Sequence, residues 1–206
     1  MKKHFAFVIG FVLLGFGCAE LIKIAPAFVG NFLTISFEPI VAFPAEATLE
    51  GFDGGQAGAA ADVVGSIFQT VTGESLKKKV GGIIAKNAEP YTVALTDAFK
   101  DEIRRRNLYA GIVDKGGNVS MRLSVARYGL NAIGGVNAMK PLLDVKSEIL
   151  IPGFGVVWSR THTVDEKSLK TLALSATQLL TGAASFQKAY ESATNEAATA
   201  LLAELK

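Results

Sequence analysis

Apolar and polar residues alternate with a period of two from Asn118 to Val164, and this stretch predicts the sheet around which the chain is organised. Val119, Met121, Leu123 and Val125 alternate with Ser120, Arg122, Ser124 and Ala126. Leu143, Val145, Ile149 and Ile151 alternate with Asp144, Lys146, Glu148 and Leu150. Successive strand side chains point to opposite faces, so each segment has one apolar face and one mostly polar face. Strands are expected at Val119–Arg127, Leu142–Ile151 and Val156–Val164, antiparallel, with one face packed and the other wet. Gly134-Gly135 and Pro152-Gly153 supply the two connections. Tyr109–Val113 reads as another strand, turned into Val119 by Lys115-Gly116-Gly117, which would make a four-stranded meander. Leu33, Ile35 and Phe37 alternate with Thr34, Ser36 and Glu38, predicting a short strand limited by Pro39 and Pro44, because proline cannot donate to a ladder.

The period becomes helical from Pro90 to Arg106, where Tyr91, Leu95, Ala98, Phe99 and Ile103 form one stripe. Arg104-Arg105-Arg106 lie in the last turn, at the negative end of the helix dipole, and Asn107 is a suitable stop. The triplet reads either as a solvated helix end or as a contact for anionic lipid headgroups, and Lys77-Lys78-Lys79 carries the same two readings. Two more helices are expected. Glu166–Leu180 has Asp165 as its cap, and Phe186–Leu205 has alanines along its apolar side, which implies a close approach to the surface it covers. Asp53–Ala85 is rich in Gly and Ala, with Gly54, Gly58, Ala61 and Gly65 on one helical face. Such spacing serves close helix packing in water or a glycine zipper in a membrane, but Asp62 in its centre argues against a spanning helix.

These patterns predict an α+β domain, a mainly antiparallel sheet of four or five strands covered on one face by the three later helices. A signal peptide precedes it. The expected divisions are residues 1–17 (leader), 18–52 (tether and first strand), 53–89 (Gly/Ala-rich helical segment) and 90–206 (helix, meander and two terminal helices).

The leader has three parts. Lys2 and Lys3 are a positive start, Phe5–Phe16 is a continuous apolar run, and small residues lie just before Cys18. The run is shorter than the roughly 20 residues a spanning helix needs. The lone cysteine directly after it resembles the lipobox of bacterial lipoproteins, in which the cysteine becomes the first mature residue and carries acyl chains. Gly17 fits that pattern; Gly15 and Phe16 depart from it. Cys18 is therefore the candidate lipid-attachment residue. Cleavage after Ala19 with soluble export, or an uncleaved segment, are the alternatives. If the lipobox holds, Ala19 in place of Asp favours the outer membrane of a two-membrane cell.

Composition narrows the chemistry. The net charge of +2 comes from 21 basic and 19 acidic residues, and loss of Lys2 and Lys3 leaves the chain formally neutral. That is no footprint for nucleic acid. One cysteine excludes an intrachain disulfide. The sequence contains no G-x-x-x-x-G-K-[ST], G-x-S-x-G, H-E-x-x-H or C-x-x-C, so no catalytic residue, metal site or cofactor is assigned. His162, the one histidine outside the leader, reads as a surface or edge residue of its strand, and Trp158 as a core residue.

The order of segments resembles a group of uncharacterised bacterial envelope lipoproteins. The residues concerned are the leader ending in Cys18, the block Gly54–Gly65, Leu123 to Leu130, Pro141-Leu142-Leu143, Gly155-Val156-Val157-Trp158 and the Ala-rich terminal helix. In outline it is also similar to the auxiliary lipoproteins of ABC-type lipid exporters. The resemblance implies a non-enzymatic, exported, lipid-anchored protein facing the periplasm. It would bind another envelope component in a transport or assembly system. A periplasmic carrier of a lipid or other small hydrophobic ligand is the second expectation, and a hydrolase with a dispersed site the third.

Overall fold

The computed structural model describes residues 33–51, 73–86, 88–133, 138–165, 167–168, 173–175, 178 and 183–205. The fold is α+β, as the periodicities predict. Among the described residues a six-stranded sheet carries helices on its apolar face. The strands are β1 (Thr34–Phe37), β2 (Thr48–Glu50), β3 (Gly111–Val113), β4 (Val119–Ala132), β5 (Met139–Ile151) and β6 (Gly155–Val164). The helices are α1 (Gly73–Ala85), α2 (Ala88–Arg106) and α3 (Ala183–Leu202).

The long antiparallel hairpins β4–β5 and β5–β6 are the centre of the sheet, with Leu123 opposite Ser147 and Val145 opposite His162. Val119, Met121, Leu123 and Val125 are buried, whereas Ser120, Arg122 and Ser124 between them are less so. Beyond Val125 the parity changes. Val125 pairs with Val145 but Arg127 pairs with Asp144, so Ala126 is an extra, exposed residue in the ladder. This bulge rotates the strand by one residue and puts Tyr128 and Leu130 on the core side, both fully buried. Strict alternation through Arg127 would have placed the arginine in the core.

The expected four-stranded meander is not formed. β3 pairs in parallel with β1, and β1 lies between β3 and β4, parallel to both. The link from β3 to β4 therefore crosses the β1 backbone. A Cβ on Gly117 would stand 2.6 Å from the Ser36 amide nitrogen, so only glycine permits the crossing. β2, not anticipated from the sequence, pairs in parallel with the second half of β4. The sheet is consequently mixed, with six strands rather than four or five.

α2 matches its stripe: Tyr91, Leu95, Ala98, Phe99 and Ile103 are all buried. It ends at Asn107, whose φ of 52° is the left-handed cap, with the Leu108 amide donating to Ile103 O and the Asn107 amide to Arg104 O. α3 buries Phe186, Ala189, Tyr190, Ala193 and Ala197 against α2 and the sheet. The two helices share an aromatic cluster in which Tyr91 lies 4.3 Å from Tyr190 and 5.2 Å from Phe186, ring centre to ring centre.

The expected helix Glu166–Leu180 is not continuous. Asp165 does accept hydrogen bonds from the Lys167 and Ser168 amides, as a cap would. Leu174, however, exchanges two backbone hydrogen bonds with Met139 and extends the sheet edge instead of turning in a helix. The main-chain groups of Met139 at the strand start would otherwise lack these partners. Among the described residues α2 and α3 cover the sheet, and α1 packs its Val80 and Ile84 side inward beside β2. The Gly/Ala spacing Gly54–Gly65 lies outside the described residues.

Candidate functional site

The side chains with chemistry gather on the face of the sheet opposite α2 and α3. Strand pairing puts them there: Arg122 stands directly across from Glu148, Arg127 from Asp144, and Glu50 is adjacent through β2. Arg122 Nε donates to Glu38 Oε2 at 2.7 Å, and its Nη1 lies 3.8 Å from Glu148. Ser120 Oγ donates to the other Glu38 oxygen at 2.8 Å. Lys146 Nζ reaches Glu148 at 2.5 Å. One turn of the ladder further on, Arg127 is held between Asp144 at 2.6 Å and Glu50 at 2.5 Å. The bulge at Ala126 is what swings Arg127 to this side.

The electrostatics follow from the pairing. The Arg122 hydrogen bond, seconded by Ser120, holds the Glu38 carboxyl below its ordinary range. The Asp144 carboxylate pushes the Arg127 guanidinium further up. Four carboxylates and three cations thus form two neighbouring clusters on one face, Glu38–Arg122–Glu148–Lys146 and Asp144–Arg127–Glu50, half-buried around Arg122 and more exposed at Lys146 and Arg127. A carboxylate tied to arginine stays ionised at neutral pH and is a poor proton donor there.

His162 is on the other face. It pairs with Val145 on the edge strand β6, half-buried on the helix side, and its buried Nε2 has no hydrogen-bond partner among the described residues. It does not join the carboxylates, so the structure does not bring His162 into a cluster of acids. Trp158, across from Ile149, is a core residue, as expected. Among the described residues no group of three or more His, Cys, Asp and Glu side chains is arranged to hold a metal ion.

The arginine triplet is mostly paired within the protein. Arg104 bonds Asp101, Arg105 and Arg106 bond Glu102, and Arg106 also donates to the Leu202 carbonyl at the end of α3. Arg106 is a clasp between the two helix ends, which the sequence reading missed; its i,i+4 spacing from Glu102 was the available signal. Lys78 is exposed. Cys18 lies outside the described residues. Among those residues no helix is long and apolar enough to cross a membrane.

No protein-family model matches the chain, and no curated protein does. Among solved structures it is similar to protein XCC0632 from Xanthomonas campestris, of the family DUF330. The two share 12% identity with a TM-score of 0.42, over 90% of this chain and 86% of that one.

Proposed function

We propose that this chain is a non-enzymatic, exported protein, anchored to an envelope membrane through acylated Cys18, that works by binding another envelope protein. The observation that carries the reading is the lattice on the polar sheet face. Its arginines are fixed between carboxylates, so the face is a preorganised pattern of charge suited to recognising a complementary surface. Its acids are tied up in ion pairs with Arg122, Lys146 and Arg127 and are separated by the sheet from His162, which is the opposite of an acid–base pair poised for turnover. The carrier reading is less favoured. The layer between helices and sheet, where an apolar guest would lie, is occupied by Tyr91, Tyr128, Tyr190, Phe99 and Phe186, all nearly or fully buried.

The test is made in cells on the full chain. Mass spectrometry of the N-terminal peptide should find acyl chains on Cys18, and Cys18→Ser should leave precursor or release the protein from membranes. The double variant Arg122→Glu/Arg127→Glu, compared at a temperature where its circular dichroism matches that of the parent, should stay membrane-bound but lose its co-isolated envelope partner. An unmodified Cys18 refutes the anchor. Unchanged co-isolation of the charge-reversed variant refutes the binding face.

A further inference from the structure

We infer that the β5–β6 hairpin tip, led by Phe154, inserts into the lipid surface to which the chain is tethered. Phe154 is 63% exposed and Val156 42%; among the described residues most other large apolar side chains are buried, Val41 and Val93 being the other exposed ones. Pro152, Gly153 and Gly155 around them are also exposed, and no charged residue occurs from Leu150 to Ser159. Gly153 and Gly155 adopt φ values of 83° and 77°, a tight reversal that presents the phenyl ring outward. The Phe154 amide donates back to Ile151 O at 3.0 Å, so the tip is built on a hydrogen-bonded turn. An exposed aromatic on an uncharged turn is costly to leave in water, and a bilayer interface accommodates it.

The topology supplies the occupant. β1 begins at Thr34, parallel to β4 with Ile35 across from Val119; β4 meets the end of β5 at Ser120 and Leu150, and β5 meets β6 at Ile151 and Gly155. The hairpin tip and the start of β1 are therefore at the same end of the sheet. With strands about 4.8 Å apart, three spacings separate them by roughly 14 Å. Cys18 precedes Leu33 by 15 residues, a length whose fully extended reach is about 50 Å. The described chain thus begins at the end of the sheet that displays Phe154, within reach of a membrane holding Cys18. The N-terminal part of α2 is at the opposite end, since Tyr91 lies against Tyr128 nine residues along β4, while the Ala110 amide bonds Leu33 O.

The inference rests on the anchored reading above, and the experiment separates the two. Full-length acylated protein carrying Phe154→Cys is labelled with an environment-sensitive fluorophore and reconstituted in phosphatidylethanolamine–phosphatidylglycerol vesicles. Val93→Cys, exposed on α2 at the far end, is labelled as the control. The expected result is a blue shift and strong quenching by a headgroup-level lipid quencher at position 154, and neither at position 93. A protein that is acylated and vesicle-bound, with position 154 as accessible to aqueous iodide as position 93, overturns the inference and leaves the anchor standing. In intact cells, position 154 shielded from iodide but untouched by the lipid quencher means a protein partner, which also overturns it. A chain without acylation that does not bind vesicles overturns the anchor itself.

Discussion

The bulge at Ala126 makes a prediction that strict strand alternation does not. Leu123 and Leu130 have opposite parity along β4, yet both are almost completely buried, at 1% and 0% exposure. They share a face only because one extra residue lies between Val125 and Arg127. Truncating either to alanine removes about three methylene equivalents, roughly 2.4 kcal/mol of transfer free energy. The cavity left between sheet and helices raises that to about 2–5 kcal/mol. For a chain of this size each kcal/mol lowers the melting temperature by about 2–4 °C, so each variant should melt roughly 10 °C lower. Arg122→Ala, on the polar face, loses a partly exposed ion pair and should cost no more than about 1 kcal/mol, or roughly 3 °C. The assay is thermal unfolding followed by circular dichroism on the three variants beside the parent. A mild effect for Leu130→Ala together with a large one for Leu123→Ala would show that no bulge exists and that the second half of β4 faces the other way.

Gly129→Ala should be severely destabilising, by at least about 2 kcal/mol in a urea titration, because Gly129 has a φ of 152° and its Cβ would fall 1.8 Å from the Thr48 carbonyl oxygen. Stability should also fall in acid. Arg105, hydrogen-bonded to Glu102, holds that carboxyl below its ordinary 4.5, with Arg106 adding to the effect. A carboxyl depressed in the fold takes up its proton more readily in the unfolded chain, so its stabilisation is present above about pH 4.5 and lost as pH falls through the folded value. Melting curves across that range should decline below about pH 4.5, and Glu102→Gln should start lower at neutral pH and decline less steeply. An identical acid slope in the variant would remove Glu102 from the account.

The parts of the fold readable from sequence are those with sustained local periodicity. The stripe from Tyr91 to Ile103 marked its helix because five apolar residues recur at helical spacing, and Asn107 ended it for the reason its left-handed conformation shows. The alternations marked β4, β5 and β6 as strands, and in β4 up to Val125 and in β5 they marked the side that faces the core. What the sequence did not reveal is non-local. The insertion of β1 between β3 and β4 depends on a 77-residue separation between Ile35 and its partner Ile112 that no local pattern encodes, and β2 is too short to carry a period. The apolar spacing of Glu166–Leu180 suggests a helix, but Leu174 is held extended by Met139, two tertiary hydrogen bonds outweighing propensity. The polar face was legible as alternation, but not as an ion lattice, because which cation meets which carboxylate is fixed by register and by the bulge. Pro152-Gly153 marks the connection between β5 and β6, but the exposure of Phe154 beside it is a property of the finished hairpin.

The most direct test of the binding face is site-specific photo-crosslinking in living cells from Thr161. This residue is exposed on the polar face of the sheet, directly across from Lys146. The account predicts one dominant adduct with another envelope protein, absent when the crosslinker is at Val93 and absent when Arg122 and Arg127 are both reversed to glutamate. Adducts of equal yield from Thr161 and Val93, or an adduct at Thr161 that survives the charge reversal, would contradict it.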